Sequence, residues 1–188
     1  MAYTPRLNDN GIRGNYKWYS RNPFYTSGYG LPNCTCYAWG RFWEISDPNN
    51  TGANRPNNLP TGNGNQWYSQ NWYYEKNPSV PKLGSIVCFG GASPGHVAVV
   101  EEIRDGGNTI VTSNSDWQGR FFYTETLRRR SDGKFQHPHR SKTYLSQGFI
   151  YNPFAGDTPS PTPTPSGASK SKKFPWPVAW KHWSNFKH

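Results

Sequence analysis

Cys34, His96 and Asn114 have the side-chain types of a nucleophile, a general base and an orienting group. A base that takes the thiol proton, and a third group that fixes the tautomer of that base, are what nucleophilic acyl transfer requires. Two residues are candidates for the third role. Asn114 would orient the imidazole through its amide, whereas Asp116 would also stabilise the imidazolium through its carboxylate. The sequence therefore predicts a cysteine–histidine centre whose third member is Asn114 or Asp116.

Cys34 is predicted to lie in the first turn of a buried helix. Pro32 and Asn33 are helix start signals, and apolar residues then recur at three- and four-residue steps as far as Ile45. Pro48 prevents the helix from continuing. Backbone N–H groups in the first turn favour the thiolate form of a cysteine. The alternative is that Cys34 is a small buried hydrophobic residue, as most unpaired cysteines are.

His96 and Asn114 are predicted to lie on neighbouring strands, because the hydrophobic period changes to two after Pro81. The predicted strands are 83–89, 96–102, 109–113, 121–127 and 149–151. Adjacent antiparallel strands place the end of one beside the start of the other, so that Asn114 or Asp116 can approach His96. A helical N-terminal half followed by an antiparallel sheet predicts an α+β fold.

The remaining segments predict one domain followed by an appendage. Residues 1–31 are expected to form an ordered loop, and residues 47–64 a long loop of turn-forming residues. A second helix is expected from Asn65 or Gln66 to Lys76, on the helical spacing of its aromatic residues. We predict a domain over 1–156, a linker rich in Pro, Thr, Ser and Lys over 157–173, and a Trp-rich basic tail over 174–188.

The net charge of +10 predicts attraction to an anionic partner such as nucleic acid, membrane lipid or an acidic wall polymer. No nucleic-acid-binding signature is present, so no nucleic-acid partner is expected. The tail carries Trp176, Trp180 and Trp183 at the spacing of one helical face, among several lysines. It is interpreted either as a disordered terminus or as an anchor on anionic wall polymer or membrane surface.

Other chemically active residues favour simpler interpretations. Three cysteines cannot form a fully paired disulfide framework, and a structural zinc site needs four well-spaced ligands. Cys36 and Cys88 lie in apolar runs and are predicted to be packed thiols. The segment 137–139 follows three arginines and is predicted to be a solvated basic loop, with contact to acidic wall polymer as the alternative. Glu101 and Glu102 are predicted to be solvated charges at a strand edge.

The sequence resembles the CHAP domain, the cysteine- and histidine-dependent amidohydrolase/peptidase of bacteriophage endolysins and bacterial wall hydrolases. The resemblance runs over roughly residues 9–153. The segments that carry it are Pro23-Phe24-Tyr25, Gly28-Tyr29-Gly30, Asn33-Cys34-Thr35-Cys36-Tyr37-Ala38-Trp39-Gly40-Arg41, Pro81-Lys82-Leu83-Gly84-Ser85-Ile86, Gly95-His96-Val97-Ala98-Val99-Val100-Glu101, Ser113-Asn114-Ser115-Asp116-Trp117 and Gly148-Phe149-Ile150-Tyr151.

The resemblance implies a papain-like fold, with N-terminal helices packed on an antiparallel sheet. It implies that Cys34 is the nucleophile, that His96 is the general base, and that the Cys34 N–H and the Asn33 side chain form the oxyanion hole. The substrate-binding candidates within the matching segments are the aromatic residues Tyr29, Trp39 and Trp117. No cofactor is expected.

This sequence departs from the family pattern at three points. Asn33 stands where many relatives carry Gln, a longer amide donor. Asn114 and Asp116 stand where the family often has Glu, with Asn two residues later, and we favour Asn114 as the orienting group. Residues 11–33 contain no Asp or Glu, so the calcium site of some relatives is not expected, and no metal is predicted.

The function expected from the resemblance is hydrolysis of an amide in bacterial peptidoglycan, of the phage-lysin type, through a Cys34 thioester. The catalytic residues do not distinguish the muramoyl–alanine bond from a stem-peptide or cross-bridge bond. Two alternatives are a catalytically inactive wall-binding protein and an amidase of a soluble amide, as in glutathionylspermidine-type amidases. A monomer is expected. With no signal-peptide-like or membrane-spanning segment in the sequence, we expect synthesis in the bacterial host cytoplasm and action on the wall after release.

Overall fold

The structure, a computed structural model, describes residues 3–117, 119–139 and 142–156. The predicted linker 157–173 and tail 174–188 lie outside the described residues. The helices are α1 (Pro23–Thr26), α2 (Cys34–Ser46) and α3 (Trp67–Gln70), with short 3-10 turns at Gly64–Gln66 and Asp105–Gly107. The strands are β1 (Lys76–Asn77), β2 (Ile86–Gly90), β3 (His96–Arg104), β4 (Thr109–Asn114), β5 (Tyr123–Arg128), β6 (Gln136–His139) and β7 (Lys142–Ile150).

The seven strands form one antiparallel sheet in the order β1-β7-β2-β3-β4-β5, and β6 also pairs with β7. Its centre is built from two consecutive hairpins, β2–β3 and β3–β4. The register pairs Phe89 with His96 at one end of the first hairpin, and Val99 with Ser113 in the second. The predicted α+β arrangement is therefore confirmed.

Helix α2 is the long helix of the described chain, and the sequence predicted its ends correctly. The Asn33 side chain caps the first turn by accepting hydrogen bonds from the Thr35 and Cys36 N–H groups. The helix ends at Ser46, and Pro48 follows two residues later. Nearly every side chain between Thr35 and Trp43 is buried, because α2 packs directly on β3.

The sheet has a hydrophobic cluster on each face. On one face, Val97 and Val99 of β3 pack with aromatic residues of α2, among them Trp39 and Trp43. On the other face, Ala98 and Val100 pack with Phe89, with Phe135 just before β6, and with rings of β7. Because side chains alternate along a strand, β3 contributes to both clusters, and the sheet is buried on both sides at its centre.

The predicted helix from Asn65 or Gln66 to Lys76 is wrong beyond its first turn. Helix α3 ends at Gln70, because Asn71 has an extended backbone and its side chain bonds both the N–H and the C=O of Tyr74. The turn that the Asn71 side chain closes leads the chain into β1. The helical spacing of aromatic residues was misleading, since Trp67 is fully buried whereas Trp72 is 79% exposed.

The predicted strands near 86–90, 96–104, 109–114 and 123–128 are present, with ends shifted by a few residues. The last strand is longer than predicted and begins at Lys142, and it pairs with β1 and β6, which were not predicted. Residues 137–139, predicted to be a solvated loop, lie in β6. Within the described residues, no helix has the length and apolar character needed to span a membrane.

Candidate active site

A cavity of about 660 Å³ opens where the start of α2 meets the start of β3. Cys34, His96 and Asp116 line this cavity together with the helix cap Asn33. The rest of its wall is formed by Phe24, Tyr29, Thr35, Thr61, Gly62, Asn63, Gly64, Gln66, Pro94, Gly95, Trp117 and Tyr144. The structure thus brings together residues that the sequence holds far apart.

Cys34 is the first residue of α2 and is half-buried at the cavity. The Asn33 Oδ1 atom accepts from Thr35 N at 2.9 Å, Thr35 Oγ1 at 2.7 Å and Cys36 N at 3.2 Å. The cap therefore uses the acceptor end of the Asn33 amide and does not use the Cys34 N–H. The Cys34 N–H instead interacts with the Cys34 thiol, and Asn33 lines the same cavity.

The expectation that the helix start favours the Cys34 thiolate is wrong in its net effect. Burial raises the pKa of the Cys34 thiol to about 11, and hydrogen bonds from the N–H groups of Val97, Thr35 and Cys34 itself only partly oppose this rise. The nearby charge of Asp116 also raises the pKa. A thiol with this pKa is protonated at neutral pH, so a neighbouring base has to take its proton.

His96 begins β3 and is 1% exposed, next to the Val97 N–H that faces the Cys34 sulfur. Its Nε2 lies 3.0 Å from Asn114 Oδ1. The orientation of the Asn114 amide is fixed, because its Nδ2 donates to Thr112 O at 3.1 Å and Thr112 Oγ1 at 3.0 Å. The Asn114 oxygen thus requires a proton on His96 Nε2, which leaves Nδ1 as the basic nitrogen.

Asp116, the other candidate for the orienting role, also lines the cavity and is 5% exposed. Its Oδ1 accepts from Arg120 N at 2.9 Å, and its own N–H donates to Arg120 O at 3.1 Å. The carboxylate therefore closes the turn between β4 and β5. The short contact with His96 favours Asn114 for the orienting role.

Two contacts hold the loops around this centre. Asn33 N donates to Ser115 Oγ at 3.1 Å, which ties the start of α2 to the end of β4. On the other side, Gly64 and Gly95 allow the loop at residues 63–65 to lie against His96. A Cβ on Gly64 would come within 2.9 Å of the His96 backbone, and Gly95 has a φ of +75° with no room for a Cβ beside Asn65.

Two of the three predicted substrate-binding aromatic residues lie at the cavity mouth. Tyr29 and Trp117 are 55% and 59% exposed, and their rings meet edge to face with centroids 6.5 Å apart. Trp39 does not fit this role. It is buried in the core, where it packs against Trp43 at 5.5 Å, because it faces the sheet from the middle of α2.

The sequence did not predict that His137 and Tyr144 lie near the candidate site. The two residues pair across β6 and β7. His137 is fully buried, and its ring stacks on His96 with centroids 4.3 Å apart. Tyr144 is buried and lines the cavity, and burial raises its pKa, with a further contribution from Cys34. The preceding run of arginines made this region look solvated. The period-two pattern of Phe135 and His137 was the signal that could have placed it in a strand.

No group of three or more His, Cys, Asp or Glu in the described part of the chain could hold a metal ion. Cys36 and Cys88 are fully buried, as predicted. A second cavity, of about 780 Å³, is lined by residues 3–8 and by polar side chains such as Arg41 and Glu44, which pair with each other. It is lined by no cysteine or histidine. Of these two cavities, the first is the one lined by both a cysteine and a histidine.

Comparison with known proteins identifies a family for this chain. Residues 24–116 match the family model described as the CHAP domain. The matched range begins in α1 and ends at Asp116, so that it contains Cys34, His96 and Asn114. The curated proteins contain no match to this chain.

Proposed function

We propose, from the premise that this chain carries a CHAP domain, that it is a peptidoglycan hydrolase of the phage-lysin type with Cys34 as its nucleophile. The CHAP domain implies a family of amidases and peptidases that act on peptidoglycan. One observation carries the assignment of roles in this chain. His96 Nε2 lies 3.0 Å from Asn114 Oδ1, in a cavity that His96 shares with the half-buried Cys34.

In the first half of the proposed reaction, His96 Nδ1 takes the Cys34 proton while the sulfur attacks the carbonyl carbon of an amide. The raised thiol pKa makes this general-base step necessary. The Cys34 N–H and Asn33 Nδ2 donate to the oxyanion of the tetrahedral intermediate. The C–N bond then breaks, the leaving amine takes the proton from His96, and a thioester on Cys34 remains.

In the second half, water attacks the thioester carbonyl and His96 takes the proton of that water. The tetrahedral intermediate again places its negative charge at the same two donors. Collapse breaks the C–S bond, releases a carboxylic acid and returns the proton to the Cys34 sulfur. Asn114 keeps the same His96 nitrogen available in both halves by accepting from Nε2–H.

The cavity mouth favours a sugar-peptide polymer as substrate. Tyr29 and Trp117 are adjacent and more than half exposed, and exposed aromatic rings can stack on sugar rings or on the peptide stem. The net charge of +10 attracts the chain to a wall that carries acidic polymers.

The test is digestion of purified peptidoglycan followed by mass spectrometry of the soluble products. We expect new amine and carboxylate ends at one type of amide bond, and the masses identify that bond as muramoyl–alanine, stem or cross-bridge. Cys34→Ala should remove this release, because the residual rate without a nucleophile is lower by about 10³-fold or more. Hydrolysis that persists in Cys34→Ala would contradict the proposed nucleophile.

Cys36→Ala is the matched control, since Cys36 lies two residues away on the same helix but is fully buried. It should retain most of the activity. Iodoacetamide should label Cys34 before Cys36 and Cys88, which tests thiol access without any wall substrate. If the wild-type protein leaves peptidoglycan undigested but Cys34 is labelled selectively, peptidoglycan is not the substrate although the thiol is reactive. Soluble amides would then be the next substrates to test.

A further inference from the structure

His96 contacts a second buried histidine that the reaction described above does not use. His137 lies in β6 and has no exposed surface. Its ring stacks on the His96 ring with a centroid separation of 4.3 Å and an interplanar angle of 28°. Phe89 lies farther from His96, at 6.2 Å, and is 5.2 Å from His137. Among the described ring contacts of His96, the stack with His137 is thus the shortest.

The hydrogen bond to Asn114 does not by itself fix the plane of the His96 ring. It holds one atom, Nε2, at 3.0 Å from the amide oxygen, and the imidazole can still rock about that contact. Nδ1 is on the other side of the ring, so rocking moves it relative to the thiol. A displacement of about 1 Å at a reacting atom can cost about 10²-fold in rate.

The stack with His137 acts directly on the plane of the His96 ring. A flat ring packed against the face of His96 opposes rotation out of the common plane, while Asn114 fixes the edge. His137 itself is held by backbone pairing of β6 with β7, where it lies opposite Tyr144, and by the neighbouring rings of Phe89 and Tyr123. The His137 ring is therefore held in place by the sheet.

We propose that His137 is a positioning residue, whose planar ring holds the imidazole of His96 in the orientation that directs Nδ1 toward Cys34. This inference rests on the proposed function for its activity readout. It concerns the flat shape of the His137 ring and requires no proton transfer at that residue.

The test compares two substitutions of similar volume. His137→Phe keeps a flat ring, whereas His137→Leu fills the space with a branched side chain that has no plane. We expect His137→Leu to lower kcat on soluble wall fragments by about 10- to 100-fold with KM within about twofold, because only the reacting geometry is lost. His137→Phe should remain within about threefold of the wild-type kcat.

Phe135→Leu is the matched control for damage to the sheet. Phe135 lies two residues before His137, is fully buried, and packs against Phe149 at 6.0 Å. We expect its thermal midpoint to fall by about as much as that of His137→Leu, with kcat close to wild type. A merely structural role of His137 predicts instead that the two leucine variants lose activity equally.

Alkylation of Cys34 by iodoacetamide gives a second readout that does not depend on the wall substrate. We expect the alkylation rate to fall in His137→Leu and to persist in His137→Phe and Phe135→Leu. If the wild-type protein cleaves no wall but shows this pattern, the proposed function fails and the positioning role stands. Wild-type alkylation in His137→Leu, or equal slowing in His137→Phe, would overturn the positioning role.

Discussion

Two clusters of buried polar side chains lie on opposite faces of the hairpin β3–β4. His96 and Asn114 lie on the face shared with Ala98, and His96 lines the cavity. Glu101 lies on the face that α2 covers, where its carboxylate accepts from Arg41 Nε at 3.0 Å and Nη2 at 2.9 Å. The same two strands therefore contribute to the candidate active site and to an enclosed ion-pair network.

The difference between the two clusters lies in what surrounds their polar atoms. Glu101 has no exposed surface and also accepts from Ser113 Oγ at 2.6 Å, Tyr3 Oη at 2.6 Å and Arg6 N at 2.8 Å. A carboxylate whose acceptor sites are filled by the protein cannot take a proton from a substrate. The cluster at His96 borders a cavity of about 660 Å³ that can admit an amide. Buried polar groups thus indicate chemistry only where substrate can reach them.

The largest effect should come from breaking the enclosed network. Glu101→Ala leaves the Arg41 guanidinium buried without its main partner, so we expect a loss of about 3–5 kcal/mol in the free energy of unfolding. Burial on its own lowers the pKa of Arg41, and the charge of Glu101 is the largest of the contributions that raise it again. Urea denaturation followed by circular dichroism measures the loss.

Glu102→Ala is the control for the Glu101 substitution, because Glu102 is the next residue on β3 and pairs with Arg104 at the surface. It should change stability by less than about 1 kcal/mol, as exposed ion pairs usually do. Equal losses for the two variants would show that the enclosed network does not stabilise the fold.

The sequence predicted the elements that local patterns determine. Helix α2 has its own start signal, apolar spacing and proline stop, and β3 and β4 have alternating apolar residues and turn residues between them. Strands β1 and β6 were missed because they are short and exist only by pairing with β7. The partner of β1 lies far along the chain, with Lys76 opposite Ile150, whereas β6 pairs with the strand that follows it.

The same reasoning separates the site residues that were predicted from those that were not. The candidates Cys34, His96 and Asn114 were selected from their chemical types and from the order of the elements that carry them. Glu101 was predicted to be solvated, because an isolated carboxylate favours water and its partner Arg41 comes from a distant helix. His137 was missed for a similar reason, since its contact with His96 depends on the β6–β7 hairpin.

A smaller effect is expected at the cluster of His96 and Asn114, where activity should fall with little loss of stability. Asn114→Ala removes the group that holds the His96 tautomer, so kcat/KM should fall by about 10- to 100-fold, yet less than in His96→Ala. Asp116→Asn, its matched comparison, should lose less than Asn114→Ala because the Asp116 Oδ1 atom accepts from the Arg120 N–H. The measurements are kcat/KM on wall fragments and the thermal midpoint of all three variants, and together they show which residue orients His96. A larger loss at Asp116 would transfer the orienting role to its carboxylate.

The smallest effect is a pH dependence at Asp47, a buried carboxylate that caps the C-terminal end of α2. Burial alone would raise its pKa, but hydrogen bonds from Thr51 and Gly52 and the contact with Lys17 lower it to about 2, from an ordinary value of 3.8. Because the folded pKa is below the unfolded one, this carboxylate stabilises the fold fully above about pH 4. The contribution is lost as the pH falls toward 2, and its pH-dependent part is about 2 kcal/mol.

Urea unfolding of wild type and Asp47→Asn should therefore show a difference in the free energy of unfolding that is constant between pH 5 and 7 and shrinks between about pH 4 and 2. Asp132→Asn, in an exposed turn with its partner Arg130, should leave the pH dependence nearly unchanged because solvent screens that pair. A gap for Asp47→Asn that persists unchanged down to pH 2 would show that the hydrogen bonds around Asp47 do not favour its charged form, and that enclosure at this end of α2 differs from that at Glu101.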